Sequence, residues 1–481
     1  MSERLKVIII VVDALKRDVF YNMLEDGELP GLAEAFNDGA FVRYGTTIYP
    51  TETFPAQTSI FTGLEVRHHG IVGNGWMDRT GGSPQIVDLH SIDTAANVYG
   101  YKLFGWPTML LPLRDNVGLI NREMYPEAKT IYQRAAAAGL SSTVIFNQIG
   151  KGAGRWVRPS RLDMIYFALS TRGVVNFQRI DSQTYHYAEK ELKKREQPDI
   201  FTLYLGGLDA WGHHTGNEGQ SFYLKSAIDP CITSLLRQLD AGGTRDSTRL
   251  VLCSDHGQAW LRDVRMIDLK MLTEWLDVQD FDVFTGSAMQ HEKNCYINLI
   301  GGCAQFYVKN RKSNSWNDAP DLEHDLMPLA ESLHGICGKI NEGLPPPEGG
   351  ITSIILVRRS REDGYGVLYN GELVDPEKFF WEKLDRYPRA FNNIYGLNCS
   401  RSGDVVMLSN FEEGCYISEE SYARSHGSLA MDDTSVPIVF SGPGIPHRVI
   451  ERGSILDITP TVLSFFGIDA TGTDGNVLKF D

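Results

Sequence analysis

Five short runs dominated by apolar, often β-branched residues set the limits on this fold: Lys6–Val12, Ser142–Phe146, Ile200–Leu205, Arg249–Cys253 and Val436–Ser441. A run that is apolar on successive residues must be covered on both of its faces, which fits a buried parallel strand better than a half-exposed one. Segments with helical character lie between them, at Glu127–Ala138 and at Gln183–Arg195, the second charged along one side. Gly139 stands where a helix C-cap belongs, just ahead of the next strand. Strands alternating with helices in this way predict an α/β fold, a doubly wound and mostly parallel sheet with helices on both faces. Its chemistry belongs at the carboxyl ends of the strands.

At 481 residues the chain exceeds what one core usually organises, so a smaller second unit is expected beside the sheet. The stretch 281–401 breaks the strand–helix rhythm. It holds NCYINLIGG, AQFYVKN, ITSIILVRR and YGVLYNGELV together with a Pro/Gly-rich turn at Gly343–Gly350. This reads as an inserted α+β subdomain, leaving 1–280 and 402–481 as the core.

The net charge of −15 argues against a stable nucleic-acid complex, which needs a basic face. It leaves open an anionic small substrate, because bound cations outweigh the global field locally. Seven cysteines without a C-x-x-C pair read as reduced thiols, and the run Val7–Val12 is too short for a secretory core. No stretch approaches the length of a membrane span. A cytoplasmic protein is expected, and the sequence leaves its oligomeric state open.

Acidic and histidine residues recur beside the core strands. Asp13 ends the first run, and Asp209 follows IFTLYLGGL with His213 four residues on. Asp255 and His256 follow VLCS, and His426 precedes the last run. One aspartate after a strand is an ordinary helix cap. Three aspartates and three histidines in this pattern instead suit two divalent cations, with Zn2+ the first choice from the mixed N/O donors and Mn2+ or Fe able to use the same set. A nucleophile is expected in YPTETFPAQTSIFTG, where a hydroxyl near a helix N-terminus would meet a phosphate. Spacing alone leaves Thr51, Thr53, Thr58 and Ser59 nearly equal.

These residues resemble the alkaline phosphatase superfamily, and within it the nucleotide pyrophosphatase/phosphodiesterase branch. The resemblance rests on the strand ending in Asp13, the TFP box, TGLEVRHHGIVGN, LDAWGHHTG, CSDHGQ, and SHGS followed by VPIVFSGPGI. RSGDVVMLSN also looks like a late segment of that branch. It covers the core and leaves the insertion uncovered. It implies an alkaline phosphatase-like fold, with one metal on Asp209, His213 and His426. A second would sit on Asp13, Asp255 and His256, with the Thr53 oxygen as a further ligand. It further implies that the Asn74 amide donates to a phosphoryl oxygen. Ala56-Gln57 departs from the Asn-His that commonly follows TFP, His214 competes with His213, and His68 and His69 match a position that is usually structural.

The implied enzyme is a two-metal hydrolase of phosphodiester or pyrophosphate bonds in small nucleotide-like substrates. Thr53 attacks phosphorus, and water then hydrolyses phosphothreonine. A phosphonoacetate-type phosphonate hydrolase or a phosphomonoesterase would use the same site, and a catalytically dead binding protein is the remote alternative. A monoesterase often supplies a cation for the second phosphoryl charge, and Lys102, Lys151, Arg155 and Arg158 are the nearby candidates. Trp76, Trp156 and Trp211 are candidate stacking residues. A sulfatase would need Cys or Ser in place of Thr53, and a phosphoglycerate-type mutase would carry an insertion missing after it.

Overall fold

The structure, a computed structural model, describes residues 4–89, 99, 117–160, 162–164, 166, 177–215, 218–261, 264–341, 353–418 and 422–480. Lys102 and the Gly343–Gly350 turn lie outside the described residues.

The main sheet has eight strands in the order Arg448–Ser454, Ala40–Thr46, Ile438–Ser441, Thr248–Cys253, Lys6–Val12, Ile200–Leu205, Ser142–Ile145 and Arg155–Val157. The central strand shows why both faces are covered. Val7, Ile9 and Val11 pack with Ile60 and Phe61 on one side. Ile8, Ile10 and Val12 pack with Phe20, Leu32 and Leu235 on the other. Side chains alternate along a strand, so a continuous apolar run feeds two cores at once.

Seven of the strands run in one direction. Ile438–Ser441 does not: it lies antiparallel to both Thr248–Cys253 and Ala40–Thr46. The apolar run predicted the burial of this strand but said nothing of its direction, and the parallel expectation fails here. The chain comes into this strand from the segment carrying Ser425 and His426, which lines one cavity with Asp13 and Asp209 beyond the strand carboxyl ends. A strand entered from that edge must run back across the sheet.

Helix boundaries follow local chemistry. Ile131–Ala137 begins later than expected, because Thr130 and Gln133 form a reciprocal capping box. It ends at Gly139, which takes a φ of +76° as a C-cap glycine does. The charged segment forms the helix Gln178–Leu192.

The second sheet has seven strands, ordered Val283–Phe284, Cys295–Ile300, Cys303–Val308, Val405–Leu408, Ile354–Ser360, Gly364–Tyr369 and Glu372–Val374. Its last hairpin turns at Asn370-Gly371, both with positive φ. This sheet is not confined to 281–401. Val405–Leu408 sits at its centre, hydrogen-bonded to Cys303–Phe306 and to Ile354–Val357.

Candidate active site

Strand direction explains how residues from the whole chain meet. Asp13, Asp209 and Asp255 each follow a parallel strand, so they emerge at its carboxyl edge. His426 precedes a strand running the opposite way, which places it at the same edge. Thr53 arrives there at the first position of the helix Thr53–Thr62, whose Pro55–Thr62 segment is buried.

The ligand atoms close on one another. Those of Asp209, His256 and His426 lie within 4.8 Å of each other, as do those of Asp13, Asp255 and His256. His213 Nε2 is 3.3 Å from Asp209 Oδ1, and His426 Nε2 is 3.6 Å from it. His256 Nε2 is 3.3 Å from Asp13 Oδ1 and 3.3 Å from the Thr53 hydroxyl.

The donor set fits divalent cations. His213, His256 and His426 each engage a backbone carbonyl through Nδ1 at 2.9 Å, those of Arg424, Gly257 and Thr51. That bond consumes the N–H of the neutral ring and leaves Nε2 as a lone-pair donor, as metal-ligating histidines require. Asp13 Oδ1 is buried with no hydrogen-bond donor, facing another acceptor atom. Burial, and then the nearby charges of Asp255 and Asp209, push the Asp13 carboxyl well above the usual range. Burial drives His426 in the opposite direction, well below the usual imidazole value. Asp209 goes the other way: against the effect of its burial, His213 and then His426 hold its carboxyl below the usual range. A buried carboxyl that resists ionisation and a buried imidazole that resists protonation, set around one acidic centre, suit a site that a cation completes.

Neighbours orient the carboxylates. The Tyr204 hydroxyl donates to Asp13 Oδ2. The Gln57 amide donates to Asp255 Oδ2 at 2.8 Å and is itself held by Asn147 at 2.7 Å. Gln258 donates to Asp209 Oδ1 at 3.1 Å. Ala14, next to Asp13, sits at a φ of +58°, a conformation L residues rarely adopt.

Among the four candidate hydroxyls, three are committed to structure. Thr51 donates to the Ser428 carbonyl, Thr58 to the Phe54 carbonyl, and Ser59 to the Leu64 carbonyl. Only Thr53 turns its oxygen to the cluster. Among the described residues the Thr53 and Phe54 N–H groups, the first two donors of the helix, meet no protein acceptor, and both residues line the cavity.

Asn74 lines the same cavity, but its Nδ2 donates to Glu52 Oε2 at 2.8 Å. His214 stacks on Phe177 with ring centroids 5.5 Å apart, whereas the His213 ring lies 5.3 Å from that of His426. His69 is buried against Ser59 and His68 pairs with Asp474, and neither belongs to the close-set ligand groups or the cavity lining.

A cavity of about 390 Å3 opens over the site. Its walls are Phe54, Tyr99, Phe146, Ile180, Tyr204 and Tyr422, with Leu299–Gly301 contributed by the second sheet. No lysine or arginine lines it among the described residues. Arg155 pairs with Glu191, Arg158 donates to the Tyr99 carbonyl, and Lys151 lies outside the lining. The tryptophans are not stacking walls either. Trp76 is core, Trp156 donates to the Asn147 carbonyl, and Trp211 packs on Phe222.

The sequence reading missed Glu52 and Tyr204. Tyr204 carried a signal, a lone phenol in an apolar strand that ends near Asp209. Glu52 carried none, since its neighbours read equally well as an exposed loop.

Residues 7–361 match the family described as type I phosphodiesterase / nucleotide pyrophosphatase. The chain belongs to that family. Its similarity to curated relatives is distant. The venom phosphodiesterase of Macrovipera lebetinus is 23% identical over 264 residues, covering 55% of this chain and 26% of the relative. Bis(5'-adenosyl)-triphosphatase ENPP4 of Pongo abelii is 25% identical over 271 residues, covering 55% of this chain and 50% of the relative. The matches thus span a quarter to a half of those relatives' length. In fold, the chain is similar to human ectonucleotide pyrophosphatase/phosphodiesterase 5, with a TM-score of 0.61 at 17% identity over 98% of this chain and 97% of that one. The murine counterpart gives 0.59 at 15% identity, covering 98% of this chain and 97% of the other. The alkaline phosphatase-like α/β architecture expected from the motifs is the one present. Among the described residues, no helix is long and apolar enough to cross a membrane.

Proposed function

We propose that this chain is a metal-dependent hydrolase of phosphodiester or pyrophosphate bonds in small nucleotide-like substrates, acting through a phosphothreonine at Thr53. One observation carries the reading: a hydroxyl at a helix N-terminus, 3.3 Å from His256 Nε2, faces a cavity without a cationic side chain among the described residues. A diester carries one charge fewer than a monoester at neutral pH. A cavity without lysine or arginine therefore suits the diester. The murine structural relative has also been captured as an inactive variant in complex with AMP, a small phosphorylated ligand.

Two divalent ions, with Zn2+ the choice for this donor set, would be held by Asp209, His213 and His426 and by Asp13, Asp255 and His256, the second reaching the Thr53 oxygen. When bound, they supply positive charge that favours an ionised nucleophile and stabilises a departing oxygen.

The chain's own residues do the rest. Thr53 Oγ1, its proton lost to solvent, attacks phosphorus and forms the new P–O bond as the bond to the leaving oxygen breaks; the departing oxygen takes up a proton and the phosphoryl group passes to Thr53. Water then attacks phosphothreonine, releasing phosphate or a phosphomonoester and restoring the hydroxyl. The free Thr53 and Phe54 N–H groups and the Asn74 amide bind the equatorial oxygens, a role whose donors are each worth about 3 kcal/mol. Asp13 is oriented by Tyr204 and Asp255 by Gln57, so the nucleophile meets a preset frame.

The insertion, together with Val405–Leu408, acts as a cap that shapes the substrate cavity through Leu299–Gly301. Seven unpaired cysteines support a reducing compartment, the cytoplasm. Turnover of bis-p-nitrophenyl phosphate, p-nitrophenyl phosphate and phosphonoacetate by Zn2+-loaded protein tests the assignment. Diester hydrolysis should exceed the other two, and a preference for either of them would replace the proposed substrate class.

A further inference from the structure

Glu52 occupies a position whose ordinary use it declines. It is the cap residue of the helix Thr53–Thr62, yet its side chain makes no capping bond. It is also 2% exposed, although no lysine or arginine among the described residues pairs with it. Its side chain lines the cavity instead. Oε2 accepts the Asn74 Nδ2–H at 2.8 Å, while Oε1 has no hydrogen-bond partner and lies 3.6 Å from His426 Nδ1.

Gly427 leaves room for this arrangement. A Cβ there would come 2.8 Å from Glu52 Oε1 and 2.0 Å from the Gly301 carbonyl oxygen, so glycine lets the carboxyl stay pressed toward Asn74. Burying a carboxyl without a cationic partner is costly, and such a group is retained where it holds something in place.

We propose that Glu52 is a positioning residue that acts through Asn74. An asparagine amide has two N–H hydrogens and can present either its nitrogen or its oxygen to the cavity. The Glu52 carboxyl oxygen accepts one hydrogen, which sets the flip of the amide. The second hydrogen is thereby left for a phosphoryl oxygen beside Thr53. The same placement keeps the carboxyl off the helix end, so the Thr53 and Phe54 N–H groups stay open to the same anion. This inference rests on the phosphoryl-hydrolase reading above and adds to it a residue that makes no contact with the substrate.

A mutant cycle on the Zn2+-loaded full chain tests it, read both as kcat/KM for bis-p-nitrophenyl phosphate and as the Kd for inorganic phosphate. Glu52→Gln keeps an acceptor oxygen at nearly the same volume and should stay within about threefold of wild type. Glu52→Met keeps the volume without the acceptor and should lose about tenfold in both readouts. Asn74→Ala should lose about a hundredfold in kcat/KM. The Glu52→Met/Asn74→Ala double variant should then equal Asn74→Ala alone, because the carboxyl has nothing left to position. Penalties that multiply, or a Glu52→Met variant matching wild type at unchanged Zn2+ content, overturn the proposal. A wild type that binds phosphate with the predicted coupling but hydrolyses no diester would leave Glu52 in its role and overturn the diesterase reading. A wild type that neither binds phosphate nor turns over sinks both.

Discussion

His256 and His426 stack ring on ring, with centroids 3.8 Å apart and planes 22° from parallel. One follows a parallel strand and the other precedes an antiparallel one, and the stack turns both Nε2 edges to the same acidic centre. His256 belongs to both groups of close-set ligand atoms. Replacing it should therefore empty more of the site than replacing a histidine at one end. His256→Ala is expected to lose most of its Zn2+ by elemental analysis, and His213→Ala to retain the larger share. The reverse ranking would mean that His256 is not shared.

Thr53→Ala should lower diester turnover by at least about a thousandfold while leaving Zn2+ content near wild type, because it removes the nucleophile and few structural contacts. Thr51, Thr58 and Ser59 are each committed to a backbone carbonyl, so none can substitute for it without breaking a buried bond. Activity that survives this change would point to water as the nucleophile.

Gln57→Leu leaves Asp255 Oδ2 without its amide donor. Partners behind a ligand typically contribute tenfold or more to metal affinity, so chelator competition should show Zn2+ held about tenfold more weakly. Asn147→Ala, one bond further back, should act in the same direction and less strongly. Unchanged affinity in both variants would make this chain of amides a packing feature only.

His69 predicts an acid-sensitive step in stability that is separate from catalysis. Burial pulls its pKa from 6.5 to about 3, so the folded protein refuses a proton that the unfolded chain accepts. The stability this contributes is fully present above about pH 6.5 and is lost as the pH falls toward about 3. Urea unfolding at about pH 7.5 and about pH 5 should show wild type losing more stability than His69→Gln. Equal losses would assign the acid sensitivity to the carboxylates.

The layers of this protein, and the set of donors at its centre, were legible in the chain because both depend on local order. Alternation along a strand decides that Val7–Val12 serves two cores, and a residue bonded directly to a strand end must sit at that end. Distinctions among near neighbours were not legible. Thr53 stands out from Thr51 only because Ser428 and Gly427 come back to occupy Thr51. His213 stands out from His214 because the Arg424 carbonyl meets the first and Phe177 the second. The direction of Ile438–Ser441, the place of Val405–Leu408 in the second sheet, the grip of Glu52 on Asn74 and the wall at Leu299–Gly301 were likewise decided in three dimensions. Each of these depends on which distant segment supplies the partner, and no spacing along the chain encodes that.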